Sequence, residues 1–355
     1  MFVAFLLDYA GFLLRVVTLV AAFIVVLSAI AMLRKKGRER SGHLEVHKVN
    51  EFYEDLQGFM EEMVLEPDRL KEQRKAKAKA EKDEKKQAQK AKKKKSEDNS
   101  AEETKPRVFI LDFDGDIAAS ATSRLRHEIT ALLSLATPRD EVLVRLESPG
   151  GLVSNYGLAA SQLARIRKAK VPLIICIDKV AASGGYMMAC VGSKIISAPF
   201  AMIGSIGVVA QVPNFHRLLK KNSVDFEVLT AGEYKRTLTV FGENTDKGRE
   251  KFQQDLDDTH KLFKDFVSTN RPQLNIDQIA TGEVWLGQAA LDKQLVDELL
   301  TSDEYLAEKA KTADLFALHY VQKKRLQERL GLATAGVFDR VLQSWAGKLI
   351  NQRFW

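Results

Sequence analysis

Hydrophobic and polar positions divide the 355 residues into three stretches of different character. The first is continuous. Val16 to Leu33, VVTLVAAFIVVLSAIAML, holds eighteen residues without a charge, about the length that spans a bilayer core. Arg34, Lys35, Lys36, Arg38 and Arg40 follow at once. A cleaved leader has a shorter apolar core and small residues at its cleavage point, so the pattern predicts a retained membrane anchor with a basic flank over 1–40. In the second stretch Leu44, Val46 and Val49, then Phe52, Leu56, Phe59 and Met63, predict a juxtamembrane helix over 41–66. Residues 67–106 then lose all periodicity. Their central part, 71–100, has no aromatic or β-branched residue and no apolar face, and such a segment buries too little to offset its chain entropy. A charged, disordered linker is expected.

The third stretch alternates. RVFILDFDGDI reads as a strand, SRLRHEITALLSLA as a helix and EVLVRLES as a strand. SNYGLAASQLARIRKAK is a helix, VPLIICIDK a strand, and SKIISAPF and IGVVAQV two more strands. NFHRLLKKN is a helix, DFEVLTA a strand, and a long helical pattern covers 246–270. Alternating strands and helices imply an α/β fold with right-handed crossovers over 107–312. Residues 180–212 are apolar enough to suggest a second span, but five glycines, Pro199 and Lys194 interrupt them and the alternation continues through them. The extension 313–355 reads as a strand plus an amphipathic helix, expected to pack on a neighbour.

Charge adds one distinction. The net charge is +7, yet residues 70–95 alone hold thirteen Lys/Arg and four Asp/Glu, or +9. The remainder is near −2, so the basic balance describes the linker and is no sign of a nucleic-acid partner. Cys176 and Cys190 lie in apolar runs without metal-ligand spacing and read as buried thiols.

Four short motifs carry candidate chemistry. In VAASGGYMMAC, Ser183 stands between a strand and a helix, before Gly184 and Gly185. Serine there is a favoured N-cap, but a side chain at such a turn is also exposed at the strand end, where a helix N-terminus favours negative charge. ESPGG, with Gly150 and Gly151, is either an ordinary turn or a source of N–H groups aimed at a developing oxyanion. Lys235 in AGEYKRT is a surface lysine or a base, and Ser205 in MIGSIGVV is a turn residue or a hydroxyl that orients the amine. None of the six histidines sits in a glycine-rich strand-end motif, which removes the obvious Ser-His-Asp reading and leaves Ser-Lys. A lysine base must be neutral to accept a proton, and burial favours that form.

SPGG, ASGGYMMA, GSIGV and GEYKRT, in that order, together with GEVWLGQAALDKQLVDEL at 282–299, resemble the signal peptide peptidase (SppA/SohB) family of serine proteases. The 52-residue gap from Ser183 to Lys235 fits its single-repeat members, and the anchor, following helix and basic linker are similar to its inner-membrane members. The resemblance implies a ClpP/crotonase-like fold of stacked ββα units. It implies Ser183 as nucleophile, Lys235 as general base, Ser205 orienting Lys235, and an oxyanion hole of N–H groups near Gly150, Gly151 and Gly184. One departure is KRTLTVFGENT, where relatives carry a proline and this chain has Thr239 and Val240.

The expected function is a membrane-anchored serine endopeptidase that works through an acyl-enzyme, without metal or cofactor. Peptide or protein substrates would enter extended along a strand edge, past Leu152, Val153, Met202 and Ile203. A homo-oligomer with shared sites is expected, held to the bilayer of a bacterial inner membrane by one N-terminal helix. The basic flank favours a cytoplasmic active site, whereas the resemblance favours a periplasmic one. A crotonase-type acyl-CoA enzyme shares the fold but gives Ser183 and Lys235 no joint role. A non-catalytic membrane scaffold explains the anchor and not the serine and lysine.

Overall fold

A computed structural model describes residues 42–72 and 105–322, with single positions at 11, 15, 16, 18, 19, 75 and 79. The chain divides into two units, Met1–His43 with Gln322–Trp355, and Leu44–Val321. The motifs singled out above all lie in the second. The apolar run 16–33 falls outside the described residues except for Val16, Thr18 and Leu19, which are helical. Among the described residues no helix is long and apolar enough to cross a membrane. The amphipathic C-terminal segment and nearly all of 73–104 also lie outside them; residues 67–72, at the head of the expected linker, are helical.

In chain order the described elements open with β1 (Gly42–Lys48), α1 (Asn50–Val64), β2 (Arg107–Asp114), α2 (Thr122–Leu133), β3 (Glu141–Glu147) and α3 (Val153–Lys168). Next come β4 (Leu173–Ile177), β5 (Val180–Ala182), α4 (Gly184–Ala189), β6 (Lys194–Ser197), β7 (Met202–Gly204) and α5 (His216–Lys221). Last come α6 (Asp246–Asn270), α7 (Ile276–Ile279), β8 (Val284–Leu286), α8 (Gly287–Asp292), β9 (Glu298–Leu299), α9 (Ser302–Lys309) and β10 (Asp314–Gln322).

Seven strands form one sheet in the order β1-β10-β2-β3-β4-β6-β9. The pairs from β10 through β9 are parallel. Strands of a parallel sheet are covered on both faces, which is why β2 and β4 read as nearly unbroken apolar runs. Alternation sorts their side chains between two cores. Leu111, Phe113, Val142, Val144, Leu146 and Ile175 meet α2, α3 and α4 on one face. Val108, Ile110, Leu143, Ile174, Cys176 and Leu315 meet Leu306 of α9 and Tyr53 of α1 on the other. In α3 the buried positions Tyr156, Ala159, Ala160, Leu163 and Ile166 follow helical spacing, and the alanines let the helix lie close to the sheet.

A second sheet of three strands, β5-β7-β8, stands beside the first, with β5 parallel to β7 and β8 antiparallel to it. The chain twice runs from a long-sheet strand to a short-sheet strand and on to helix: β4–β5–α4 and β6–β7–α5. This is a mixed α/β fold built from ββα units. A bridge between Ser148 and Ala181 joins the small sheet to the loop after β3.

Three expectations need correction. The helix expected over 41–66 begins only at Asn50; residues 42–48 are a strand beside β10. Leu44 and Val46 are two apart, a strand period, and an available sheet edge decided the outcome. The domain boundary at 312 cuts the sheet, because β10 pairs with β2 from Asp314↔Arg107 to Ala317↔Ile110. Finally, IGVVAQV and DFEVLTA form no strand. A strand needs an edge to pair with, and these segments find none among the described residues: Val209 and Leu229 stay 81% and 90% exposed.

Candidate active site

β5 ends at Ala182, and the chain turns at Ser183 with φ 53° and ψ −119° before α4 starts at Gly184. A side chain in that conformation is strained by about 1–3 kcal/mol and persists only where its surroundings impose it. Here they do. The Ser183 N–H donates to the Gly204 carbonyl at 2.8 Å, and the Ser183 carbonyl accepts from Met187 N–H at 3.0 Å. The Ser183 hydroxyl makes no capping hydrogen bond to α4, so the capping role that serine often takes at this position is not realised. The half-buried hydroxyl opens on a cleft lined by Gly151, Val153, Gly184, Met187, Val208 and Phe263, with Gly207 and Thr259. None of these groups is charged.

The SPGG loop lies directly on this turn. A Cβ at Gly150, where φ is +89°, would stand 2.8 Å from Ser183 Cβ, 2.8 Å from Gly184 N and 2.7 Å from the Ala182 carbonyl oxygen. Only glycine permits that approach. The Gly150 N–H donates to Ser148 Oγ at 3.1 Å and is therefore already committed; as an oxyanion donor it is a correction to the sequence reading. The N–H groups of Gly151 and Gly184 have no acceptor among the described residues. Gly184 heads α4, where the first amides are free of helical bonds.

Ser205 follows Gly204, whose carbonyl holds the Ser183 amide, and the register Ala182↔Gly204 sets it beside the Ser183 turn. It too has positive φ, 51°, and its N–H donates to the Glu283 carbonyl. Lys235 is elsewhere. It sits exposed in a stretch, 224–245, with neither helix nor strand, and lines a groove with Phe226, Leu229, Leu238 and Val240. That groove shares no wall residue with the Ser183 cleft. Gly151 and Gly184 thus line the cleft at Ser183, Ser205 follows the residue that holds the Ser183 amide, and Lys235 is not among the residues that line this cleft.

Of the expected substrate contacts, Val153 forms the cleft wall. Leu152 and Met202 are 53% and 49% exposed, whereas Ile203 is fully buried in the core. That last assignment is corrected by strand alternation: neighbours on β7 face opposite ways. Met187 and Phe263, which line the cleft, escaped sequence reasoning, because an apolar side chain lining a cleft has the same helical spacing as one lining a core. Cys176 and Cys190 are buried free thiols, and burial pushes both well above the usual thiol range, so they stay protonated and inert.

Residues 4–163 match Peptidase family S49 N-terminal, and residues 165–315 match Peptidase family S49. A "Probable protease SohB" of Haemophilus influenzae is 52% identical over 326 residues, 92% of each chain. A "Probable protease SohB" of Buchnera aphidicola subsp. Schlechtendalia chinensis is 45% identical over 85% of this chain and 98% of its own. "Protease 4" of Haemophilus influenzae is 28% identical over 46% of this chain and 27% of its own length. With half of its residues identical over nearly its whole length to a protease of this kind, and matches to both parts of the family along its sequence, the chain belongs to peptidase family S49.

Proposed function

We propose that the protein is a serine endopeptidase whose nucleophile is Ser183. The observation that carries this reading is the strained, uncapped turn at Ser183, set against the unpartnered amides of Gly151 and Gly184. Ser183 Oγ attacks the scissile carbonyl carbon and its proton passes to Lys235 Nζ. The carbonyl oxygen becomes an oxyanion held by the two amides, which were fixed in advance where the charge develops. Collapse breaks the C–N bond, the amine leaves with the proton from Lys235, and water hydrolyses the acyl-enzyme by the reverse sequence. Ser205, beside Ser183, orients the amine. No step calls for a metal or cofactor.

Lys235 reaches the cleft of an adjacent copy, so each working site uses two chains. This is supported by Lys235 lining a groove that shares no wall residue with the Ser183 cleft and by the exposed apolar residues around it. A head-to-tail contact that closes makes a ring, and it would also cover the lysine and favour its neutral form. The apolar run 16–33 anchors each copy as a single-pass protein of a bacterial inner membrane. Extended peptide segments, of membrane-derived or unfolded chains, lie along the cleft beside Val153 and Met202.

A fluorophosphonate probe tests the core of this reading. The wild type should label at Ser183 and cleave unfolded polypeptide. Ser183→Ala should lose both, with activity lower by at least thousands-fold while the fold survives. Lys235→Arg should be as inactive as Lys235→Ala, because a guanidinium does not give up its proton. A crotonase-type enzyme or a scaffold would not label at Ser183, and cleavage by a folded Ser183→Ala protein would remove the assignment.

A further inference from the structure

Behind the candidate oxyanion hole runs a buried chain of hydroxyls that the proposed reaction does not use. Tyr156 on α3 and Ser148 after β3 are both fully buried. Their oxygens lie 2.6 Å apart. Tyr156 Oη also stands 2.8 Å from the Asp116 carbonyl oxygen, and Ser148 Oγ accepts the Gly150 N–H at 3.1 Å. The protons can be placed by elimination. A carbonyl only accepts, so the single phenolic proton goes to Asp116. Ser148 must then donate to Tyr156, which leaves its lone pairs for Gly150. The order is Gly150 N–H to Ser148 O–H to Tyr156 O–H to Asp116 carbonyl, and each bond in such a run polarises the next.

The same tyrosine touches the other half of the hole. A Cβ on Gly184 would collide with the Tyr156 ring, so the ring lies flush against the residue that supplies the second amide. Gly115 clears the space: a Cβ there would overlap Ser148 Oγ and come 2.5 Å from Tyr156 Oη. Phe113 also packs on the ring, edge to face, with centroids 6.4 Å apart. One side chain therefore contacts both segments that carry the donors. Its hydroxyl, through Ser148, fixes the loop of Gly150 and Gly151; its ring fixes Gly184.

We infer that Tyr156 and Ser148 are positioning residues that set the spacing of the Gly151 and Gly184 amides around the oxyanion. The inference rests on the serine peptidase reading above. An oxyanion is stabilised only when its donors stand at hydrogen-bond distance from the charge that forms, and a displacement near 1 Å is enough to cost about a hundredfold in rate. A buried core tyrosine with no such role would affect stability alone.

Tyr156→Phe removes one oxygen and keeps the ring against Gly184. Steady-state peptide cleavage and binding of two ligands by the purified full chain test the idea: a peptide aldehyde, which forms a tetrahedral adduct on the nucleophile, and a non-cleavable peptide, which does not. The expected result is a kcat lower by about 10- to 100-fold with KM within about twofold, since the lost interaction belongs to the transition state. Aldehyde affinity should fall by the same factor and non-cleavable peptide affinity should hold. Ser148→Ala should behave alike, and the double variant should be little worse than the poorer single one, because both interrupt one chain. Complete, if slower, fluorophosphonate labelling of Tyr156→Phe shows that the fold persists. Unchanged kcat and aldehyde affinity in a folded Tyr156→Phe protein, or a loss confined to KM, overturns the positioning role while Ser183 labelling keeps the peptidase reading intact. Failure of the wild type itself to label at Ser183 overturns both.

Discussion

Ser183 illustrates how far one residue's conformation reflects its chemistry. At φ 53° and ψ −119° it occupies backbone space that suits glycine, and the chain nevertheless places a serine there. The paired strands β5 and β7 make this tolerable, since the Gly204 carbonyl holds the Ser183 amide in place. The strain can be measured by comparing two inactive variants. Ser183→Ala keeps a Cβ and therefore the strain; Ser183→Gly removes both. Ser183→Gly should be the more stable by about 1 kcal/mol, after allowing for the greater freedom of glycine in the unfolded chain, and should melt a few degrees higher. If the glycine variant melts at or below the alanine variant, the turn is not strained.

At the scale of elements, α2 packs on the sheet through Leu125, Ile129 and Leu132, but it also sinks a carboxylate. Glu128 is 1% exposed, accepts the Tyr320 N–H from β10 at 2.8 Å, and leaves its second oxygen without a partner. Burial raises its pKa above the ordinary 4.5; the Tyr320 amide and Arg124 offset this only in part, and Asp112 adds to it. The sign follows from linkage. Above pH 4.5 the unfolded chain has released a proton that the folded chain still holds, so stability falls as pH rises through the raised folded value. Glu128→Gln stays neutral and escapes this loss. It should match the wild type near pH 4 and melt higher than it from pH 6 to 8, as followed by thermal denaturation. Equal melting temperatures at pH 8 would show that the folded protein carries the charge without cost.

For the whole molecule, the outstanding feature is that Lys235 lines a groove sharing no wall residue with the cleft at Ser183. Residues 224–245 hold Lys235 and expose Phe226, Leu229 and Phe241, a composition that suits an interface better than water. Complementation tests whether a second copy completes the site. Ser183→Ala and Lys235→Ala are each expected to be inactive. Co-expressed, they should regain partial cleavage, because some junctions join an intact Ser183 to an intact Lys235. Confinement to one membrane would raise the effective concentration of the copies and favour such junctions. No activity at any mixing ratio in chains that demonstrably co-assemble would show that the site is not shared in this way.

Local pattern determined much of this protein. The strands β2, β3 and β4 and the helices α2, α3 and α6 were legible because periodic apolar residues serve one buried face over many positions. The close approaches at Gly150, Gly151 and Gly184 were legible because glycines next to a lone hydroxyl at a strand end record a demand of the backbone itself. What the chain could not show in one dimension was anything decided by a partner distant along it. Residues 42–48 became a strand because β10, some 270 residues later, gave them an edge. DFEVLTA did not, because among the described residues no edge reached it. The Gly150 N–H donates to Ser148, two residues away, and so is not free for an oxyanion, but only the turn geometry could say so. Tyr156 looked like any core position on a helix until folding set its ring on Gly184 and its hydroxyl on Ser148. Propensity and periodicity act between near neighbours, whereas edge pairing, burial and the aim of a hydroxyl are settled by which surfaces meet, and that only the tertiary structure decides.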